Sequence, residues 1–234
     1  MKIAIAQINP RVGDVSSNLR KTLDFIEEAR QHSAELVLFP ELSLTGYPPR
    51  DLLAYSRIHH EIQNALERIR TASMGLGVIV GFVEKNPHTY GKPFFNSAAV
   101  FKNGKQIHVY RKRLLPYYDV FEDERYFEPG TEPAVFDWDG KKIGIAICED
   151  IWNRSGFLER QYASNPLSDL RGVALSTLVV LSASPFHVGK PQQREELLSL
   201  IAEEYQTSIH YCNQVSGNDE LLFDGASLVL NAEG

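Results

Sequence analysis

The stretch "IGIAICEDIWN", residues 143–153, runs five small or β-branched apolar residues straight into Cys148. Such a run reads as a buried strand. Glu149 and Asp150 follow at once, then Ile151 and Trp152. A carboxylate beside a thiol raises the thiol pKa and works against a thiolate. Cys148 is therefore either a small hydrophobe that closes a strand, or a nucleophile activated by groups elsewhere in the chain.

Working outward, "PAVFDWDGKKIGIAIC" (133–148) reads as a β-hairpin with Asp139-Gly140 at its turn. "NSAAVFKNGKQIHVYRK" (96–112) reads the same way, turning at Asn103-Gly104. Further strands are expected over 2–9, 35–41, 76–84, 177–184 and 208–215, with another starting in "ASLVLNAEG" (226–234). Helical spacing of apolar residues predicts helices over 16–34, with Ser16 or Ser17 as N-cap, and over 56–73, 164–172 and 191–206. Strands alternating with helices, plus interposed hairpins, predict an α/β layer protein with a mixed sheet. No linker or internal repeat divides residues 1–234, so one domain is expected.

Composition narrows the function. The 234 residues are 43% hydrophobic and 23% charged, ordinary for a globular chain with one core. The net charge of -6 argues against a nucleic-acid partner, which favours a basic face. Two cysteines make neither a disulfide framework nor a zinc site, and His59-His60 lack a matching third ligand. No metal is expected. The start carries no signal-peptide pattern, and no apolar run reaches the ~20 residues that cross a bilayer. A reducing, cytoplasmic setting fits these features, with no membrane partner. No GxGxxG or GxxxxGK[ST] loop offers a phosphate cradle.

Three residues at expected strand ends are chemically coherent. Glu41 ends "LVLFPE", Lys112 ends "QIHVYRK" and Cys148 ends "IGIAIC". In open α/β sheets, ligands bind beyond the carboxyl ends of strands. A cysteine nucleophile needs a base, and Glu41, desolvated behind "LFP", is suited to a raised pKa. Lys112 can steady the thiolate and then an oxyanion, with the backbone N–H of Glu149 as a second donor. Each residue also has a plain reading: Cys148 as packing, Glu41 as a loop cap, Lys112 as solvated surface. Tyr47, beside the turn "GYPPRD", either lines a pocket or packs. Cys212, in "IHYCNQ", is assigned to the core.

"FPELSLTGYPPRDLL", "YRKRLLPYYDVFEDERYFEPG" and "GIAICEDIW" resemble the three signature regions of the nitrilase superfamily. The K-x-x-L-P-x-Y-x-V-F segment, "SASPFHVGK" and "NQVSGNDELLFDGAS" resemble, more narrowly, the glutaminase domains of glutamine-dependent NAD synthetases. The resemblance runs from Met1 to Gly234. It implies a four-layer αββα sandwich and a Glu-Lys-Cys triad at Glu41, Lys112 and Cys148. It further implies hydrolysis of L-glutamine through a cysteine thioester, with substrate held by Tyr118, Ser184 and Lys190, joined here by Glu149, Trp152 and Tyr47. Where the family has F-D-E-x-R-Y-F, this chain reads "VFEDERYF"; the fourth acid is expected at Asp123, then Glu124. The glutaminase part needs no cofactor. ATP, Mg2+ and deamido-NAD belong to a C-terminal synthetase domain, whose S-G-G-x-D-S loop is not found here, so the chain is expected to be truncated at its C-terminus. A homo-oligomer built through the helical face is also implied. Two alternatives stay open: a stand-alone amidase or carbamoylase of the same superfamily, and a catalytically silent isolated domain.

Overall fold

The computed structural model describes residues 1–234. From the N-terminus, β1 (Ile3–Ile5), α1 (Val15–Gln31), β2 (Leu36–Leu38), α2 (Ser56–Ala72), β3 (Gly77–Lys85), β4 (Phe94–Lys102) and β5 (Lys105–Arg111) build the first half. The short α3 (Asp123–Tyr126) leads to β6 (Val135–Trp138), β7 (Lys141–Ile147), β8 (Leu175–Ser182), α4 (Lys190–Tyr205), β9 (Ile209–Asn213), β10 (Val215–Asn218), β11 (Leu221–Asp224) and β12 (Leu228–Leu230). The first five strands form one sheet in the order β1-β2-β3-β4-β5, and a second sheet runs β12-β9-β8-β7-β6. Both are mixed: β1, β2 and β3 are parallel, as are β7, β8 and β9, while β3-β4-β5, β6-β7 and β9-β12 are antiparallel.

Alternation along the strands explains the layers. In β2 through β4, Leu36, Leu38, Ile79, Ala98 and Val100 share one buried cluster with Ile145, Ile147, Val179, Leu181 and Cys212 of the second sheet. The intervening Val37, Val78, Val80, Ala99 and Phe101 pack instead with Leu19 and Ile26 of α1 and Ile62 and Ile69 of α2. Successive strand residues face opposite ways, so a sheet apolar on both faces must be covered on both. Leu197, Leu198 and Ile201 of α4 join the cluster of the second sheet. The result is the expected αββα sandwich.

Differences from expectation have local causes. Asp14, not Ser16 or Ser17, caps α1: its carboxylate accepts the Ser17 N–H at 3.0 Å. Residues 164–172 form only a 3-10 turn over Pro166–Leu170, begun by Asn165, whose side chain accepts the Leu167 N–H. The β10–β11 hairpin was not foreseen, because "VSGN" lacks the apolar alternation that marks a strand. Both foreseen hairpins turn at residues with positive φ, Asn103 (49°) with Gly104 (73°) and Asp139 (48°) with Gly140 (77°). Positive φ at both central residues is the type I′ geometry that matches strand twist. Cys212 lies in the core, its thiol donating to the Leu38 carbonyl at 3.3 Å.

Candidate active site

The carboxyl ends of β2, β5, β7 and β8 meet at one edge of the sandwich, and the chain leaving each end supplies one part of the site. Glu41 lies three residues past β2, Lys112 directly after β5, and Cys148 directly after β7. All are buried, Glu41 and Lys112 to 1% exposure. Cys148 sits at φ 44°, in the left-handed region, as does Leu42 (φ 44°) beside Glu41. A non-glycine residue held there costs on the order of 1–3 kcal/mol, which surrounding structure must offset. Gly81 on β3 permits the Glu41 turn: a Cβ there would stand 2.4 Å from the Leu42 nitrogen and 2.5 Å from the Pro40 carbonyl oxygen.

Glu41 is fixed by three donors. Its Oε1 accepts from Asn96 Nδ2 at 2.7 Å and from Lys112 Nζ at 2.8 Å, and its Oε2 accepts the Ala183 N–H at 2.9 Å. The last bond ties the two sheets together across the site. Lys112 also donates to Asp123 Oδ2 at 2.7 Å, and Tyr47 donates to Asp123 Oδ1 at 2.9 Å. Burial opposes the Lys112 charge, but Asp123 and Glu41 outweigh it and hold the ammonium well above the usual lysine range. Two of its three N–H bonds are engaged, and one remains for another acceptor. At Cys148, burial first and the Glu41 charge second push the thiol up, while Lys112 and the Ser182 hydroxyl pull it back. Glu41 and Lys112 thus act on the Cys148 sulfur in opposite senses, and a proton passed from sulfur to Glu41 would leave the net charge of the buried cluster unchanged.

Of the two candidate acids, Asp123 is the one bonded to Lys112, whereas Glu124 is exposed. The difference follows from the start of α3, which turns Asp123 inward and its neighbour outward. Tyr47 reaches the cluster through Asp123. The Glu149 side chain is buried beside the cluster. Its Oε1 accepts the hydroxyls of Tyr118 at 2.8 Å and Tyr162 at 2.9 Å. Burial raises its pKa, against the pull of Tyr118, Lys112, Tyr162 and Lys190. Lys190, at the first turn of α4, sets its Nζ 3.5 Å from the centroid of the Trp152 ring. Burial lowers its pKa, against the nearby Cys148 and Glu149. Ser184 is buried; its N–H donates to Asn213 Oδ1 at 2.9 Å, and its hydroxyl accepts from Arg194 at 3.4 Å.

Tyr118 and Tyr162 also line a cavity of about 540 Å³, together with Tyr117, Phe157, Leu158 and Arg160. Glu41, Lys112 and Cys148 do not line it; Tyr118 and Tyr162, which bond Glu149, do. Sequence reasoning missed Asn96, Tyr162 and the pair Arg194–Asp224, whose two bonds are 3.2 Å each. A signal for Arg194 existed: it shares the helical stripe of Leu197, Leu198 and Ile201, a charge at a core position. The structure holds no group of three or more His, Cys, Asp or Glu placed to bind a metal ion.

A family model described as carbon-nitrogen hydrolase matches residues 2–158. Over its whole length the chain is 38% identical to the glutamine-dependent NAD(+) synthetase of Acinetobacter baylyi and 40% identical to that of Thermotoga maritima. It spans only 40% and 39% of those two proteins. Among solved structures, it matches the glutamine-dependent NAD+ synthetase of Acinetobacter baumannii with a TM-score of 0.88 at 38% identity, covering 99% of this chain and 41% of that one. An amidase from Nesterenkonia sp. shares the fold, with a TM-score of 0.81 at 24% identity over 100% of this chain and 83% of that one.

Proposed function

Because the chain belongs to the carbon-nitrogen hydrolase family, we propose that it hydrolyses the side-chain amide of L-glutamine to glutamate and ammonia on Cys148. The observation that carries the choice of glutamine is the pair of opposite charges beside the thiol. Glu149 directly follows Cys148 and is held by the hydroxyls of Tyr118 and Tyr162, while Lys190 stands over the ring of Trp152, four residues past the thiol. An α-amino acid head bears both an ammonium and a carboxylate, and such a pair matches both. A simple aliphatic amide would leave the two charges unanswered.

The chemistry follows from the hydrogen bonds. Glu41 takes the thiol proton as Cys148 Sγ attacks the amide carbon. The free N–H of Lys112 and the backbone N–H of Glu149 receive the oxyanion. Glu41 returns its proton to the leaving nitrogen, the C–N bond breaks, and ammonia departs, leaving a γ-glutamyl thioester. Glu41 then draws a proton from water, which attacks the thioester, and glutamate leaves with the thiol restored. Tyr118, Ser184 and Trp152 line the route of the substrate; Asp123 and Tyr47 keep Lys112 in place.

In a longer protein of the relatives' kind, the ammonia would feed ATP- and Mg2+-dependent amidation of deamido-NAD by a synthetase domain, the partner we assign to this one. The step would take place in the cytoplasm, which suits two unpaired cysteines. No helix is long and apolar enough to cross a membrane. We assign self-association to the helical face.

A substrate panel tests the reading. Ammonia release from glutamine should exceed release from propionamide or an N-carbamoyl amino acid by at least about tenfold in kcat/KM. The reverse order would make the chain a stand-alone amidase or carbamoylase, and no turnover of any amide would make it catalytically silent. In the longer protein, Cys148→Ala should abolish glutamine-driven NAD formation and spare formation from added ammonia. Equal loss of both would contradict the division of labour.

A further inference from the structure

Asp150 is the second acid after Cys148, and it is wholly buried. All its partners are neutral donors. Oδ1 accepts the N–H of Arg113 at 3.0 Å and of Leu114 at 2.9 Å, and Oδ2 accepts the N–H of Ile147 and the hydroxyl of Tyr110, both at 3.0 Å. Three of these donors flank Lys112: Tyr110 lies two residues before it, Arg113 and Leu114 directly after it. The fourth, Ile147, immediately precedes Cys148. One carboxylate thus spans the two turns that carry the cation and the nucleophile, from different sheets of the sandwich.

We propose that Asp150 is a positioning residue, which fixes Cys148 against Lys112 by joining the backbone on either side of them. The inference rests on the proposed roles of those two residues. The physical ground is the cost of the arrangement. A buried carboxylate without a cation is unfavourable unless its acceptor sites are filled, and here each oxygen takes two donors. An apolar residue could fill the same volume but could not order four donors from two separate turns. Cys148, held at φ 44°, has no glycine to ease its turn, so its backbone depends on bonds of this kind.

The chemistry of the amide allows a selective test. In Asp150→Asn, the amide oxygen can keep the bonds of Arg113 and Leu114. Its NH2 then faces the Ile147 N–H, donor against donor, while the Tyr110 hydroxyl can rotate to accept. Only the Cys148 side is released. The expected result is a fall in kcat on glutamine of about 10–100-fold with KM within about threefold of wild type, since small misplacements of reacting groups act on the chemical step. The rate of Cys148 alkylation by chloroacetamide, read by peptide mass, should fall with kcat, while Cys212 stays as it was. Tyr110→Phe keeps the ring and deletes one donor; a loss of several-fold in both rates is expected. Either variant, folded by its melting curve, with kcat and alkylation at wild-type values would overturn the proposal. Should Asp150→Asn fail to fold, Tyr110→Phe decides alone. Should the wild-type chain not hydrolyse glutamine, the proposed function falls, and the alkylation rates still decide the role of Asp150.

Discussion

Lys112 is buried to the same degree as the core leucines, yet it is an ammonium between two carboxylates. Removing one partner of a buried pair leaves an uncompensated charge and costs about 3–5 kcal/mol. Lys112→Ala should therefore lose stability by that order in urea unfolding, besides losing activity. Cys148→Ala and Glu41→Gln should each lower ammonia release by at least about a thousandfold, because groups that act as a unit lose most of the rate singly. Asp123→Asn removes the second counter-charge and leaves Lys112 to Glu41 alone. Its kcat should fall by about a hundredfold with the fold intact; wild-type turnover would make Asp123 a bystander. Glu41, Lys112 and Cys148 were legible in the sequence because each ends an expected strand. Tyr162, a partner of Glu149, was not legible, since it approaches from a loop that no periodicity describes. Asp123 and Glu124 were separated only by the local turn of α3.

The sheet edge, rather than any one strand, makes the site. Glu41, Lys112, Cys148 and the Ala183 N–H all leave the same end of their sheets, and the bond from Ala183 to Glu41 closes the gap between layers. This dependence predicts the effect of a change that touches no reactive group. Gly81→Ala places a Cβ against the backbone of Pro40 and Leu42, so the Glu41 turn must move. Activity should fall by about a hundredfold or more, with thermal stability lowered as well. Wild-type kcat would show that the turn tolerates displacement. Strands and long helices were legible from spacing of two and of about four residues. The hairpin turns were legible from Asn-Gly and Asp-Gly, whose residues take positive φ. Residues 164–172 misled because Leu167 and Leu170 are buried without a helix around them; burial of a loop mimics a helical stripe.

Across the whole molecule, two sheets share one core, and that core holds groups whose charge state depends on folding. His108 stacks on Phe136 at 5.3 Å between ring centroids, and its Nε2 is buried without a partner. Burial lowers its pKa below the ordinary 6.5. The unfolded chain then takes up a proton below that value while the folded one resists, so His108 costs stability as pH falls through 6.5. Burial of Glu149 and Asp150 acts in the opposite sense, since their raised pKa values favour the folded state on acidification. Comparing variants separates the two. His108→Phe keeps the stacking, and its melting temperature relative to wild type should rise between pH 7.5 and 5.5; a constant difference would mean that the ring titrates alike in both states. The four-layer architecture was legible from residue patterns only as an α/β mixed sheet, because face-to-face pairing of two sheets joins residues far apart in sequence. In the proposed reaction Cys148 carries the acyl group, and that group can be read directly. Wild-type protein quenched in acid during turnover of saturating glutamine, then digested and weighed, should show a γ-glutamyl adduct on the peptide of Cys148. That adduct should be absent from the Cys212 peptide and from Cys148→Ala. Glutamine turnover with no adduct on Cys148, or undiminished turnover by Cys148→Ala, would contradict that reaction.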